Sequence, residues 1–223
     1  MEDYSKYNTL FDYVKENNIS GYHYDIDRSD DDHPLLHFKS KFKGDWNEEI
    51  ERFKVKQTIN FDLDNPTTRL QWKHWLALGY DPHKFSEKAE INAIDHPKIQ
   101  KIVDAIQLEN KQVWITRQKP GCYVPYHHDV LSSAKDIDID QSKELGIRIL
   151  VFLNDWTPGE FMIWGTKNVM KWKAGDILTW PACHFPHATA NAGFRNGYRL
   201  RISGLRTSAF EEFVKSNEVL EIN

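Results

Sequence analysis

Cysteine is scarce in this chain: Cys122 and Cys183 are the only two in 223 residues. Two thiols cannot build a disulfide scaffold, and their spacing matches no zinc motif, so both are expected as buried thiols in a reducing, cytoplasmic setting. Long apolar runs are also missing. No stretch approaches the ~20 residues of a membrane span, and the opening MEDYSKYNTL carries no apolar signal region. Positive charge is not in excess, with 29 Lys+Arg against 33 Asp+Glu and a formal net charge of -4. That balance argues against a protein that coats nucleic acid or a membrane surface. The motifs His-Glu-x-x-His, Gly-x-Ser-x-Gly and the glycine-rich phosphate loops are absent, which removes the common zinc peptidase, serine hydrolase and nucleotide-binding readings. Large apolar side chains, by contrast, are abundant: 8 Trp, 9 Tyr and 12 Phe. They exclude a disordered chain and supply a core that can bury about 70% of the unfolded surface.

Periodicity divides the chain into two styles without a linker between them, and one domain is expected. Residues 1–110 read as mostly helical support. The clearest helix spans 95–109, with Asp95 as cap, Pro97 in the first turn, and Ile99, Ile102, Val103 and Ile106 on one face. Leu70, Trp75, Leu76 and Leu78 suggest another helix over 67–79, and Leu10, Phe11 and Val14 a third near the N-terminus. From about residue 111 to 208 the pattern changes to short β-branched and aromatic runs, VWITRQ, CYVPYHHD, IRILVFLN, EFMIW, NVMKW and DILTWP, punctuated by turn residues. This predicts an α+β chain with a mainly β core, a jelly roll or barrel, buttressed by the helices of the first half. The run IRILVFLN is apolar on both faces and is expected to be covered on both sides. Residues 209–223 read as a tail.

Two acidic runs fail as calcium loops. After Asp25, Asp27 and Ser29, Asp30 stands where the turn needs Gly and Leu36 where the bidentate Glu should be, and the run at 135–144 fails likewise. The latter reads as a solvated loop, placed so that the 130–146 segment could act as a lid.

The chemistry is concentrated in PGCYVPYHHD at 120–129. On a strand, residues two apart project to one side, so His127 and Asp129 can converge while His128 points away. A third ligand is available in His187, 58 residues after Asp129. Two imidazoles and one carboxylate on one face of a metal form the facial triad of non-haem Fe(II) oxygenases, with three positions left open. In YRLRISG, Arg199, Arg201 and Ser203 share one strand face, where a guanidinium and a hydroxyl can hold a carboxylate.

Over residues 111–206 these features resemble the Fe(II)/2-oxoglutarate-dependent dioxygenases, in particular the prolyl-hydroxylase-like members. The resemblance implies a double-stranded β-helix with His127, Asp129 and His187 as iron ligands. It implies 2-oxoglutarate chelating the iron, with its far carboxylate on the basic residue after the distal histidine. Arg201 with Ser203 matches the family's Arg-x-Ser best, and Arg199 also falls within the interval. The implied reaction hydroxylates a C–H bond with O2 while 2-oxoglutarate yields succinate and CO2. A peptide or protein side chain, prolyl foremost, leads as substrate; an amino acid or other small molecule follows, and a nucleic acid base comes last. Many prolyl hydroxylases carry Lys at the anchor, so an arginine here weakens the prolyl inference alone. His184, three residues before His187, is the weaker third ligand.

Other nearby residues have plainer readings. Trp164, Trp172 and Trp180 read as core aromatics, Tyr123 and Tyr126 as neighbours of the ligand pair, Arg148 as a strand start that reaches either pocket or solvent, and Asn191 as an orienting residue. The competing class is a cupin-like metal-binding isomerase or a non-catalytic β-barrel binding protein. The cupin His-x-His followed closely by Glu is absent, since the next Glu after His127 is Glu144. A monomer or weak associate is expected.

Overall fold

The computed structural model describes residues 41–55, 57–58, 66–127, 129, 144–164, 167–182, 186–216 and 218–223. The N-terminal helix around Leu10 and the acidic run at 25–36 lie outside these residues, as do His128, His184, Cys183 and positions 130–143 of the candidate lid.

Twelve strands and four helices are described. The strands are β1 (Lys41–Gly44), β2 (Gln57–Thr58), β3 (Glu87–Ala89), β4 (Leu108–Gln118), β5 (Tyr123–His127), β6 (Gly146–Phe152), β7 (Glu160–Trp164), β8 (Lys167–Val169), β9 (Ile177–Pro181), β10 (His187–Asn191), β11 (Gly197–Arg206) and β12 (Val219–Ile222). The helices are α1 (Asn47–Glu51), α2 (Pro66–Ala77), α3 (Pro97–Ala105) and α4 (Ser208–Ser216). Two sheets face each other, one in the order β2-β3-β4-β11-β6-β9 and one in the order β5-β10-β7-β8. The chain crosses repeatedly between them from β4 to β11, so the fold is a jelly roll, a double-stranded β-helix of eight strands. The expected core is therefore present, and β2 and β3 extend its larger sheet.

Among the described residues of the first half, three segments expected as helical support are strands. The last residues are not a loose tail: α4 packs on the core, and β12 runs parallel to β1 with Phe42 opposite Leu220. The helix expected over 95–109 is shorter, since β4 begins at Leu108. Its cap is also different. His96 stands at the cap without a side-chain bond. The amides of Lys98 and Ile99 donate instead to the buried Glu49 carboxylate of α1, at 2.8 and 2.9 Å. A carboxylate there satisfies two free amides and opposes the positive end of the helix. In α2, Trp72 and Trp75 are buried while Leu76 is exposed, so the apolar face is turned from the one expected.

The larger sheet has two unlike faces. On the outer face Ile115, Ile147, Ile149, Val151, Leu200 and Ile202 join Ile99, Ile102, Val103, Phe210 and Val214 in the main core. Each fully buried aliphatic side chain there contributes on the order of 1.5–3 kcal/mol. The inner face carries Lys88, Thr116, Arg199 and Phe152 in one row, Trp114, Arg201, Leu150 and Leu178 in a second, and Gln112, Ser203, Arg148 and Trp180 in a third. All of β6 is buried, as its two-sided apolar pattern required.

Candidate metal centre

Entry into β5 is set by Lys119-Pro120-Gly121-Cys122, where the Cys122 amide donates to the Lys119 carbonyl at 2.9 Å. Gly121 has φ +79°, the position of a type II turn that favours glycine, with Pro120 before it. Strand β5 then pairs with β10, with Val124 opposite Thr189 and His127 opposite His187. Three steps on β5 thus match two on β10. This bulge brings His127, rather than Tyr126, opposite His187.

One ligand atom from each of His127, Asp129 and His187 lies within 4.8 Å of the others, an arrangement that could hold a metal ion. The closest approaches are His187 Nε2 to Asp129 Oδ2 at 3.5 Å and His127 Nε2 to Asp129 Oδ1 at 3.9 Å. Adjacent ligands of a metal with bonds of about 2.1 Å stand ~3 Å apart, so small side-chain shifts would close the set. The donor chemistry also fits. His127 Nδ1–H donates to the Pro125 carbonyl at 2.7 Å, which leaves Nε2 with its lone pair toward Asp129. Burial pushes the His127 imidazole down toward its neutral form, against the pull of Asp129 and the Pro125 carbonyl. The His187 ring lies 4.9 Å from Trp180, and the His127 ring 5.6 Å from Trp75 of α2.

Arg148 reaches the pocket rather than solvent. Its Nε donates to Asp129 Oδ2 at 2.8 Å, its NH2 lies 2.7 Å from Oδ1, and its NH1 donates to the Ser203 hydroxyl. Burial alone would raise the Asp129 carboxyl. The Arg148 guanidinium, with the two imidazoles, outweighs that and holds it well below the usual carboxylate range. Each carboxylate oxygen has a further lone pair beyond those Arg148 takes. Ser203 therefore touches the ligand set through Arg148.

The two candidate anchors occupy different places. Arg199 is 4% exposed and donates to Gln118 Oε1 at 3.1 Å, lies 3.9 Å from Glu160 Oε1, and stacks over Trp172 at 5.5 Å. Glu160 pairs with Asn191, at the opposite end of β10 from His187. Arg201 lies in the row between Arg199 and Ser203, and its buried Nε, like Nε and NH2 of Arg199, has no hydrogen-bond partner. Burial and then Arg148 bring its guanidinium down to about 9, still protonated at neutral pH, while Asp129 pulls the other way.

Several site neighbours fall into structural roles. Tyr123 accepts from the Asp81 amide at 2.7 Å and packs its ring on Phe85. Asn191 donates to the Gln118 and Arg195 carbonyls and accepts from the Gly193 amide, so it shapes the β10–β11 turn rather than orienting His187. Cys122 is a buried free thiol. Lys88 escaped the sequence reading: in the short run FSEKAEI nothing distinguishes it from a solvated lysine, yet it is 3% exposed. Burial, then Arg201 and Arg148, push its ammonium down to about 6, with Asp129 alone pulling it up.

The fold and this cluster define a jelly-roll protein with a candidate His-Asp-His metal site. No family model and no curated protein matches the chain. Among solved structures, a protein named as a sugar phosphate isomerase from Acidithiobacillus ferrooxidans is 14% identical. That alignment covers 73% of this chain and 78% of that one, with a TM-score of 0.39. An oxalate decarboxylase, so named by prediction, from Thermotoga maritima is 16% identical over 54% and 81% of the two chains, at 0.33. The cupin domain of Cnp3 from Schizosaccharomyces pombe is 9% identical over 57% and 66%, at 0.35. No helix among the described residues is long and apolar enough to cross a membrane.

Proposed function

We propose that the chain is a single catalytic domain, an Fe(II)- and 2-oxoglutarate-dependent dioxygenase that hydroxylates a C–H bond of a peptide, protein or amino-acid substrate. The observation that carries this reading is the pairing of a His-Asp-His set with Arg201 on the facing sheet, a guanidinium whose buried Nε has no hydrogen-bond partner and which, unlike Arg199, has no carboxylate of its own among the described residues. In it His127, Asp129 and His187 hold the iron, which supplies O2 activation coupled to decarboxylation of the co-substrate. Arg148 and Ser203 fix the Asp129 carboxylate. Arg201 receives the far carboxylate of 2-oxoglutarate, and Arg199, already committed to Glu160 and Gln118, does not. Trp180 and Trp75 flank the imidazoles and keep water from them.

A second reading keeps the metal and drops the oxidation: a cupin-like isomerase or a non-catalytic binding protein with the same ligands. In its favour, Arg148 already occupies both oxygens of Asp129, which suits a quiet site. Anaerobic titration with Fe(II) and 2-oxoglutarate separates the two. The oxygenase gives a visible metal-to-ligand charge-transfer band, lost in Asp129→Ala together with succinate formation. A folded chain that binds Fe(II) without that band is the second class.

A further inference from the structure

On the inner face, Lys88 and Arg201 flank one indole. Trp114 stands opposite Arg201 in the ladder, and the Lys88 Nζ lies 5.4 Å from the centre of the Trp114 ring. Lys88 comes from β3 and Arg201 from β11, with β4 between them. No hydrogen bond or ion pair to a carboxylate is formed by either side chain among the described residues. The one carboxylate whose charge reaches both is Asp129, and Arg148 already holds its two oxygens. Burial beside a guanidinium drives Lys88 toward its neutral form, and an anion placed between the two side chains is what restores its charge. Nothing in the fold requires a lysine here, because a neutral side chain of equal length would fill the same space beside Trp114.

We infer that Lys88 and Arg201 form a two-strand clamp for one carboxylate, the end of the bound co-substrate remote from the metal, an inference that rests on the oxygenase reading above. Arg201 supplies the fork and Lys88 a point charge from the other side of Trp114. The pocket then selects a dicarboxylic 2-oxo acid over a 2-oxo acid with an apolar tail, since only the former satisfies both cations.

The test compares two metal chelators on the intact chain under anaerobic conditions: 2-oxoglutarate, and oxalate, which has no remote carboxylate. Lys88→Met is expected to weaken 2-oxoglutarate by about 10- to 100-fold, the range of one charge-assisted hydrogen bond, while Fe(II) and oxalate bind as in the unchanged chain. Retained Fe(II) and oxalate binding also reports that the variant is folded. Lys88→Gln, which keeps a donor without the charge, falls between, and decides by the same ratio if Lys88→Met does not fold. Unchanged 2-oxoglutarate affinity in the variants, or an equal loss for oxalate, overturns the clamp alone. An unsubstituted chain that binds Fe(II) and oxalate but not 2-oxoglutarate removes the clamp and the oxygenase reading together.

Discussion

The two faces of the larger sheet are built from the same strands and answer to different physics. Alternate residues of β11 are Leu200 and Ile202 on the outside and Arg199, Arg201 and Ser203 on the inside, so a single strand serves both. The outer face needs no partner beyond the helices that cover it. The inner face places cations in a space with few anions, an arrangement that lowers stability and prepares a binding site. Within that inner face a further division appears: Arg199 has its counter-charge in Glu160, and Arg201 has none of its own.

Substitutions can break this comparison at each level. Arg199→Met strands the buried Glu160 carboxylate and should cost about 3–5 kcal/mol of stability, measured by denaturant unfolding, with 2-oxoglutarate affinity unchanged. Arg201→Met is expected to do the reverse, weakening 2-oxoglutarate by about 10- to 100-fold without loss of stability. If both variants lose affinity equally, the division between the two arginines is wrong. On the outer face, Ile202→Ala should cost about 2–5 kcal/mol by opening a cavity while Fe(II) affinity stays intact. A further comparison concerns pH. The Lys88 ammonium falls from 10.5 to about 6 in the folded chain. The unfolded chain therefore holds the extra proton between those values, and stability rises with pH across that window. Lys88→Met removes this penalty, so without ligand its melting temperature should exceed that of the parent most near pH 6 and converge with it toward pH 10. A constant offset would show that the lysine is not the group responsible.

How much of this was legible in the sequence depended on range. The pattern His127-x-Asp129 is local, and strand alternation alone puts both side chains on one side. The jelly roll followed from evenly spaced strand runs and their turns. What the pattern could not carry was register. The extra residue on β5 that turns His127 toward His187 is a bulge, invisible until the partner strand is known. Arg148 sits in a strand otherwise apolar, and its role emerges only when Ser203 and Asp129 stand on either side of it. Lys88 is charged, short-stranded and surrounded in sequence by Glu87 and Glu90, a setting that reads as surface. The cap of α3 is supplied by Glu49, about fifty positions earlier, a long-range bond that local helix signals do not contain.

Strand β11 lies in the middle of its sheet, hydrogen-bonded to β4 on one side and β6 on the other, yet it is the last of the eight jelly-roll strands to be synthesised. During translation β4 and β6 therefore emerge with a gap between them and two open edges exposed to other chains. Arrival of this one segment closes both edges, seals the aliphatic layer and delivers Arg201 in the same step. A nascent chain stalled before residue 197 thus has neither a finished core nor a finished pocket, which ties the assembly of the candidate site to the completion of folding.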